Sequence, residues 1–359
     1  MKKYVRGVAL VGAVTLAVAA CGSKPSENNG GGGSAHKDFK ACMVSDSGGF
    51  DDKSFNQTSY KGFAEAVKDF GLAPETKAES KSDNDYPTNM NAMVAAKCNI
   101  IVPVGFKLED ATDKAATANP DIKFAIVDSA PKNPIANVKP LLFNTAQSSF
   151  LAGYLAAGMS QTGKVGTFGG LQIPTVTIFM DGFAEGVAHY NSTKGKNVQV
   201  LGWDEKTQKG AFAGGFEDKA KGQQTGQNLI TQGADIIFPV AGPLGLGALQ
   251  AAKASGGKVN AVWVDTDGCV SAAEFCSVLL TSVEKGMDVA VKDAIKSAVD
   301  GNFTNTQYVG TLSNNGTGLA EYHEFDSKIP AELKSEIEQL KKDIADGKIT
   351  IASTAQPKA

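Results

Sequence analysis

The chain has 359 residues, of which 42% are hydrophobic, with 35 Lys and Arg against 38 Asp and Glu. That length suits two domains, and the composition is ordinary for a globular protein, which excludes a disordered chain. The first 20 residues hold three of the basic side chains and none of the acidic ones, so the remainder carries a net charge of −6. This is the wrong sign for a nucleic-acid partner, and no basic run with interleaved aromatics is present.

At the N-terminus, Lys2, Lys3 and Arg6 precede an apolar stretch from Val8 to Ala20. It is too short to span a hydrocarbon core of roughly 30 Å as a helix. A basic start, a short apolar core and small residues at its end describe an export signal. Leu16-Ala17-Val18-Ala19-Ala20-Cys21-Gly22 resembles a bacterial lipobox. The resemblance implies cleavage before Cys21 and lipid on its thiol, which anchors the protein on the extracytoplasmic face of the cell membrane. Residues 1–20 are then a lipoprotein signal peptide. Residues 21–37, with Gly30 to Gly33, bury almost nothing and read as a flexible tether. No later segment is long and apolar enough for a membrane-spanning helix.

Beyond the tether, β-rich runs alternate with helical patterns. Ala41–Ser45 is a strand and Ser54–Phe70 a helix, with Phe55, Phe63, Val67 and Phe70 near helical spacing. Asn99–Val104 is a continuous apolar strand, the mark of burial on both faces. A helix follows over Leu108–Ala118 and a strand over Phe124–Val127. Ser148–Met159 is an apolar helix, Lys164–Phe168 a strand, Val176–Ala188 a helix and Val198–Trp203 a strand. Lys219–Gln232 is helical, Ile236–Pro239 a strand, Gly245–Ser255 a helix and Asn260–Val264 a strand. Leu279–Ser282 precedes a helix over Met287–Val299, and Glu332–Ala345 is the last helix. Repeated strand–helix–strand units give parallel sheets covered on both faces. Their number predicts an α/β protein of two lobes, each with its own doubly wound sheet.

After Cys21, four cysteines remain, an even number that fits pairing outside the cytosol. Cys42 lies on the first strand and Cys98 opens a later one that would neighbour it. Cys269 and Cys276 flank one loop. Pairs 42–98 and 269–276 are favoured over a four-cysteine metal site, which usually uses close Cys-x-x-Cys pairs.

In doubly wound sheets ligands bind beyond the carboxyl ends of the strands. Asp46 follows the first strand, then Gly48-Gly49 allow a sharp turn, Asp52 or Ser54 caps the helix, and Phe55-Asn56 stand at its mouth. A turn and a cap account for the glycines and one acid, but not for Asp46 or the Phe55-Asn56 pair. Asp128 follows Phe124–Val127, Gly242 follows Ile236–Val240, Asp265 and Asp267 follow Val262–Val264, and Lys285 follows Leu280–Val283. Phe179 lies on the helix opened by Pro174. Each residue alone is weak evidence; their recurrence at strand ends points to a ligand cleft.

The run DSGGFDDKSFNQTSYKGF resembles the signature of the basic membrane protein family, lipoproteins similar to the purine nucleoside receptor. VPVGFKLEDA, FAIVD, VGTFGG, MDGFAEGV, PVAGPLG, VWVDTDG and LLTSVEKGMD are similar to its later blocks, in the same order. The resemblance implies a type I periplasmic-binding-protein fold with a three-segment hinge, serving an ABC transporter permease. It implies that Phe55 and Phe179 sandwich a base. Asp46, Asn56 and Asp128 would meet the base edge, and Asp265, Gly242 through its backbone, and Lys285 would meet the ribose. It calls for no cofactor, metal or catalytic residue. Crossings near Asn144, Asp265–Gly268 and Leu312–Asn315 assign 38–143 plus 266–311 to an N-terminal lobe and 144–265 plus 312–355 to a C-terminal lobe. The sequence departs from the family at Gly268-Cys269 and beside Phe179, where Met180-Asp181 leave the second stacking position open. A purine nucleoside is the leading ligand, a sugar or other small polar solute the alternative. An enzyme such as a nucleoside hydrolase fits less well, because His36, His189 and His323 lie away from the strand-end clusters. A purely structural or signalling surface lipoprotein is a third class.

Overall fold

The computed structural model describes residues 36–358, so the signal segment, Cys21 and most of the tether lie outside the described residues. No helix among the described residues is long and apolar enough to cross a membrane.

The first lobe begins with β1 (Ala41–Val44), α1 (Phe55–Asp69), β2 (Thr76–Ala78), α2 (Asp85–Ala95), β3 (Ile100–Pro103), α3 (Glu109–Ala118), β4 (Lys123–Val127) and β5 (Val138–Phe143). The second holds α4 (Thr145–Met159), β6 (Lys164–Gly169), α5 (Pro174–Lys194), β7 (Gln199–Leu201), the ribbon β8 (Trp203–Asp204) and β9 (Lys209–Gly210), α6 (Lys219–Thr231) and β10 (Ile236–Val240). It continues through α7 (Gly245–Ala254), β11 (Asn260–Asp265), α8 (Gly268–Ser271) and β12 (Leu279–Lys285). Then α9 (Met287–Val299) and β13 (Tyr308–Gly310) return to the first lobe, and β14 (Thr317–Leu319) and α10 (Ala331–Ala345) to the second.

Each lobe is built on a six-stranded sheet, in the order β13-β5-β4-β3-β1-β2 and β14-β12-β11-β10-β6-β7. Every pairing in these two sheets is parallel except β12 with β14. Strands β1, β3 and β10 are buried throughout, as sheets covered by helices on both faces require. The elements that lacked a clear pattern in the sequence are short or polar: β2, α2, β13, β14, and β5 with its Lys139 and Pro140.

The chain leaves the first sheet after Phe143, and leaves the second after Lys285 rather than at Asp265–Gly268. Residues 266–285, assigned from the sequence to the N-terminal lobe, therefore belong with the C-terminal one. The cause is local. Strand β12 pairs with β11 through Trp263 and Ser282, the Ser282 hydroxyl accepts the Gly268 N–H at 2.9 Å, and Leu280 and Val283 join the second lobe's core. The remaining crossing runs over 311–316, between β13 and β14.

The lobes bury their helices differently. Helix α4 is apolar all round and buried from Ser148 to Ala157. It packs backbone against backbone on α5, because a side chain at Gly182 or Gly186 would run into the Ala146 or Phe150 carbonyl. Cysteines 42 and 98 are disulfide-bonded in the first lobe, as are 269 and 276 in the second.

Candidate functional site

The carboxyl ends of β1, β3 and β4 face those of β10, β11 and β12 across a cleft. Asp46, Phe55, Asn56, Asp128, Phe179, Gly242, Asp265 and Lys285, the eight residues marked by the sequence, all line it.

The loop after β1 is fixed from within. The Asp46 carboxylate accepts the Asn56 side-chain amide at 2.7 Å and the Gly48 N–H at 3.1 Å. Burial outweighs these bonds and holds its pKa above the ordinary carboxylate value. Asp52 is the cap of α1: it accepts N–H groups of Ser54, Asn56 and Gln57 at 3.0, 2.8 and 3.0 Å, plus the Asn56 side chain at 3.1 Å. Burial pushes it up to about 6. Asp51, the other half of the acidic pair, is exposed and bonded to Lys53 at 2.6 Å. With its amide committed to Asp46 and Asp52, Asn56 keeps a buried side-chain carbonyl that has no hydrogen-bond partner among the described residues.

Asp128 directly follows β4 and Asp265 ends β11, at φ of 59° and 72°. Aspartate tolerates this left-handed region better than most residues, yet such strain persists only where the surroundings enforce it. Asp128 is ion-paired to Lys285, and burial raises its pKa against that pairing. Asp265 accepts the Ser54 hydroxyl at 2.6 Å, and its other oxygen lies 3.8 Å from the Lys285 ammonium. Lys285 is itself buried, with its ammonium 5.0 Å from the Phe55 ring centre and 5.3 Å from that of Phe179. Both aromatic faces thus turn toward one cation. Gly242, at φ 51°, follows β10 and leaves open space where a side chain would stand, so the backbone of Ala241-Gly242-Pro243 is exposed to the cleft.

The residues beside Phe179 are spoken for. Met180 is buried, and Asp181 accepts the Trp203 indole N–H at 2.9 Å and the Ser353 hydroxyl at 2.6 Å, away from the cleft lining. The cysteine-bearing loop likewise stays out of the lining, and Asp267 there caps the short α8 and bonds His323 at 2.7 Å. His189 packs against Phe150 and Tyr154.

The structure adds cleft residues that the sequence reading did not single out: Phe106, Lys107, Thr175 and Phe216. Phe106 and Lys107 stand just beyond β3, where the strand-end rule would have found them. Phe216 sits in an aperiodic glycine-rich loop and offers no such signal.

The family model described as "ABC transporter substrate-binding protein PnrA-like" (Bmp) matches residues 39–351. The chain is 32% identical to the "ABC transporter nucleoside-binding protein BmpA" of Lactococcus lactis subsp. cremoris, over 98% of this chain and all of that one. It is 30% identical to "Basic membrane protein A" of Borreliella burgdorferi, over 88% of each. A solved solute-binding protein of an ABC transporter system from Aeropyrum pernix superposes with a TM-score of 0.78 at 24% identity, over 88% of this chain and 93% of that one.

Proposed function

The chain belongs to the PnrA-like Bmp family of ABC transporter substrate-binding proteins, not to an enzyme family, and we propose that its ligand is a purine nucleoside. The observation that carries this reading is the pairing of Phe55 and Phe179 around one point of the cleft, with a hydrogen-bonding carboxylate supplied by each lobe. A flat base stacks between aromatic faces, worth about 0.5–1.5 kcal/mol beyond area burial. Asp46 and the open carbonyl of Asn56 are acceptors for base N–H groups, with Asp128 nearby. Asp265 accepts from ribose hydroxyls while Lys285 donates and balances its charge. Four carboxylates against Lys107 and Lys285 make the lining net acidic, which disfavours phosphorylated ligands.

Capture proceeds by hinge closure of the lobes, and the closed form docks on a permease. Lipid on Cys21 and a loose tether keep the receptor at the membrane that holds the permease, which raises the effective concentration of one for the other. Calorimetry with guanosine, adenosine and ribose tests the ligand. The nucleosides should bind and ribose should not; binding of ribose alone would transfer the site to the sugar class. Replacing Cys21 by Ser should release the protein from the membrane fraction, and retention would remove the lipid anchor.

A further inference from the structure

A second cavity, of about 230 Å³, adjoins the cleft on the side of the crossing segments. The two share Phe106, Asp128, Thr175 and Lys285, so the Asp128–Lys285 ion pair stands as a partition between them. The added walls are largely carbon: Phe143 at the end of β5, Pro174 and Ile178 on the first turns of α5, and Ala355 and Pro357 of the C-terminal segment. The polar groups are few, and Ser129 and Glu109 are bonded to each other at 2.7 Å.

The C-terminal wall is fixed in place. The Ala352 N–H donates to Glu185 at 2.8 Å, the Ser353 hydroxyl to Asp181 at 2.6 Å, and the Asn144 amide to the Gln356 side chain at 2.9 Å. Gln307, just before β13, donates to the Lys358 carbonyl. The segment therefore spans from the second lobe to the edge of the first.

A chamber kept for water alone would offer each molecule 2–4 polar partners. This one instead has the carbon walls of a ligand pocket, at a volume that suits a substituent rather than a whole ligand.

Resting on the nucleoside reading, we infer that this cavity is a second subsite, which accepts an uncharged, mainly apolar substituent on the nucleoside. The receptor then takes substituted nucleosides as well as the parent compounds.

The test is calorimetry on the purified chain with guanosine and adenosine, followed by the 5′-propylthio and N-benzyl derivatives of whichever parent binds. Ala130→Phe and Ala355→Phe fill the cavity from opposite walls, with thermal unfolding as the check on folding; if one fails to fold, the other carries the test. At least one derivative should bind within about tenfold of its parent, and a folded variant should weaken that derivative about 30-fold while moving the parent less than about threefold. The subsite is overturned if both derivatives bind more than about tenfold more weakly than the parent, or if filling the cavity affects derivative and parent alike. Failure of both parents to bind defeats the nucleoside reading itself, and the subsite with it.

Discussion

The two lobes furnish the cleft in opposite ways. In the first, Asp46, Asp52 and Asn56 are tied to one another and to the start of α1, within a single loop. That loop is held together by contacts within its own lobe. In the second, Asp265 is held by Ser54 of the facing lobe, and Lys285 pairs with Asp128 there. The indole of Trp263 similarly donates to the Lys53 carbonyl at 3.3 Å. The lesson is a division of labour: the loop after β1 braces itself, whereas Asp265 and Lys285 of the second lobe are held by contacts with the facing one.

The contrast can be attacked first through the disulfides. Cys42 and Cys98 close a loop with a sequence separation of 56, Cys269 and Cys276 one of 7. Chain-entropy estimates put their contributions at about 4 and about 2.5 kcal/mol. Paired Cys→Ser replacement should therefore lower the denaturant-derived stability more in the first lobe than in the second. Equal losses would show that the recognition loop does not depend on its own brace.

Asp46→Ala and Asp265→Ala come next, each removing charge-assisted hydrogen bonds of about 1.5–3 kcal/mol. Loss of Asp46 should weaken nucleosides and free bases alike. Loss of Asp265 should weaken nucleosides more than bases, because the base keeps its first-lobe partners. Calorimetry with a nucleoside and its base decides, and equal losses for Asp265→Ala would remove its ribose role.

A third test uses pH. Burial, with Glu185 and Asp181 beside it, pushes Glu205 up to about 8. The folded state then keeps a proton that the unfolded state has already released. Stability should fall as pH rises from the ordinary glutamate range toward 8, and Glu205→Gln should flatten that decline. The corresponding group in the first lobe is Asp52, at about 6, whose window closes earlier. Thermal midpoints across pH 4–9, an interval of about this width, separate the two; an unchanged profile in Glu205→Gln would exclude it as the source.

The smallest effect belongs to Ser54→Ala, which removes one latch on Asp265 and should cost about 1.5 kcal/mol, the low end for a bond to a carboxylate. The loss should appear as faster ligand release in stopped-flow traces. A slower association at constant release would mean that Ser54 shapes the open form instead.

Much of this cleft was legible because strand ends are legible. Asp46, Asp128, Asp265 and Lys285 each follow an apolar run, and the parallel fold carries the ends of those runs to one place. Their contacts with a ligand remain part of the proposal. The crossing at Gly286 was not legible. A connection between neighbouring strands and a passage between lobes look alike when both follow an aspartate, and only the pairing of Trp263 with Ser282 distinguishes them. Nor was the role of Asp181: its distance from the cleft depends on Trp203 and Ser353, which are remote in sequence. The C-terminal segment has no period at all, since single hydrogen bonds rather than a buried stripe hold it.

Lys285 is the last residue of β12, and Gly286 begins the passage between lobes. Under the proposed hinge closure, a load placed that near the fulcrum would be strongly geared: a small shift of the ammonium would correspond to a wide sweep at the lips of the cleft. Affinity and signal can then part company. A compound that fills the cleft while leaving the ammonium where it lies would be held without turning the jaw, and would act as a plug for the uptake system instead of cargo.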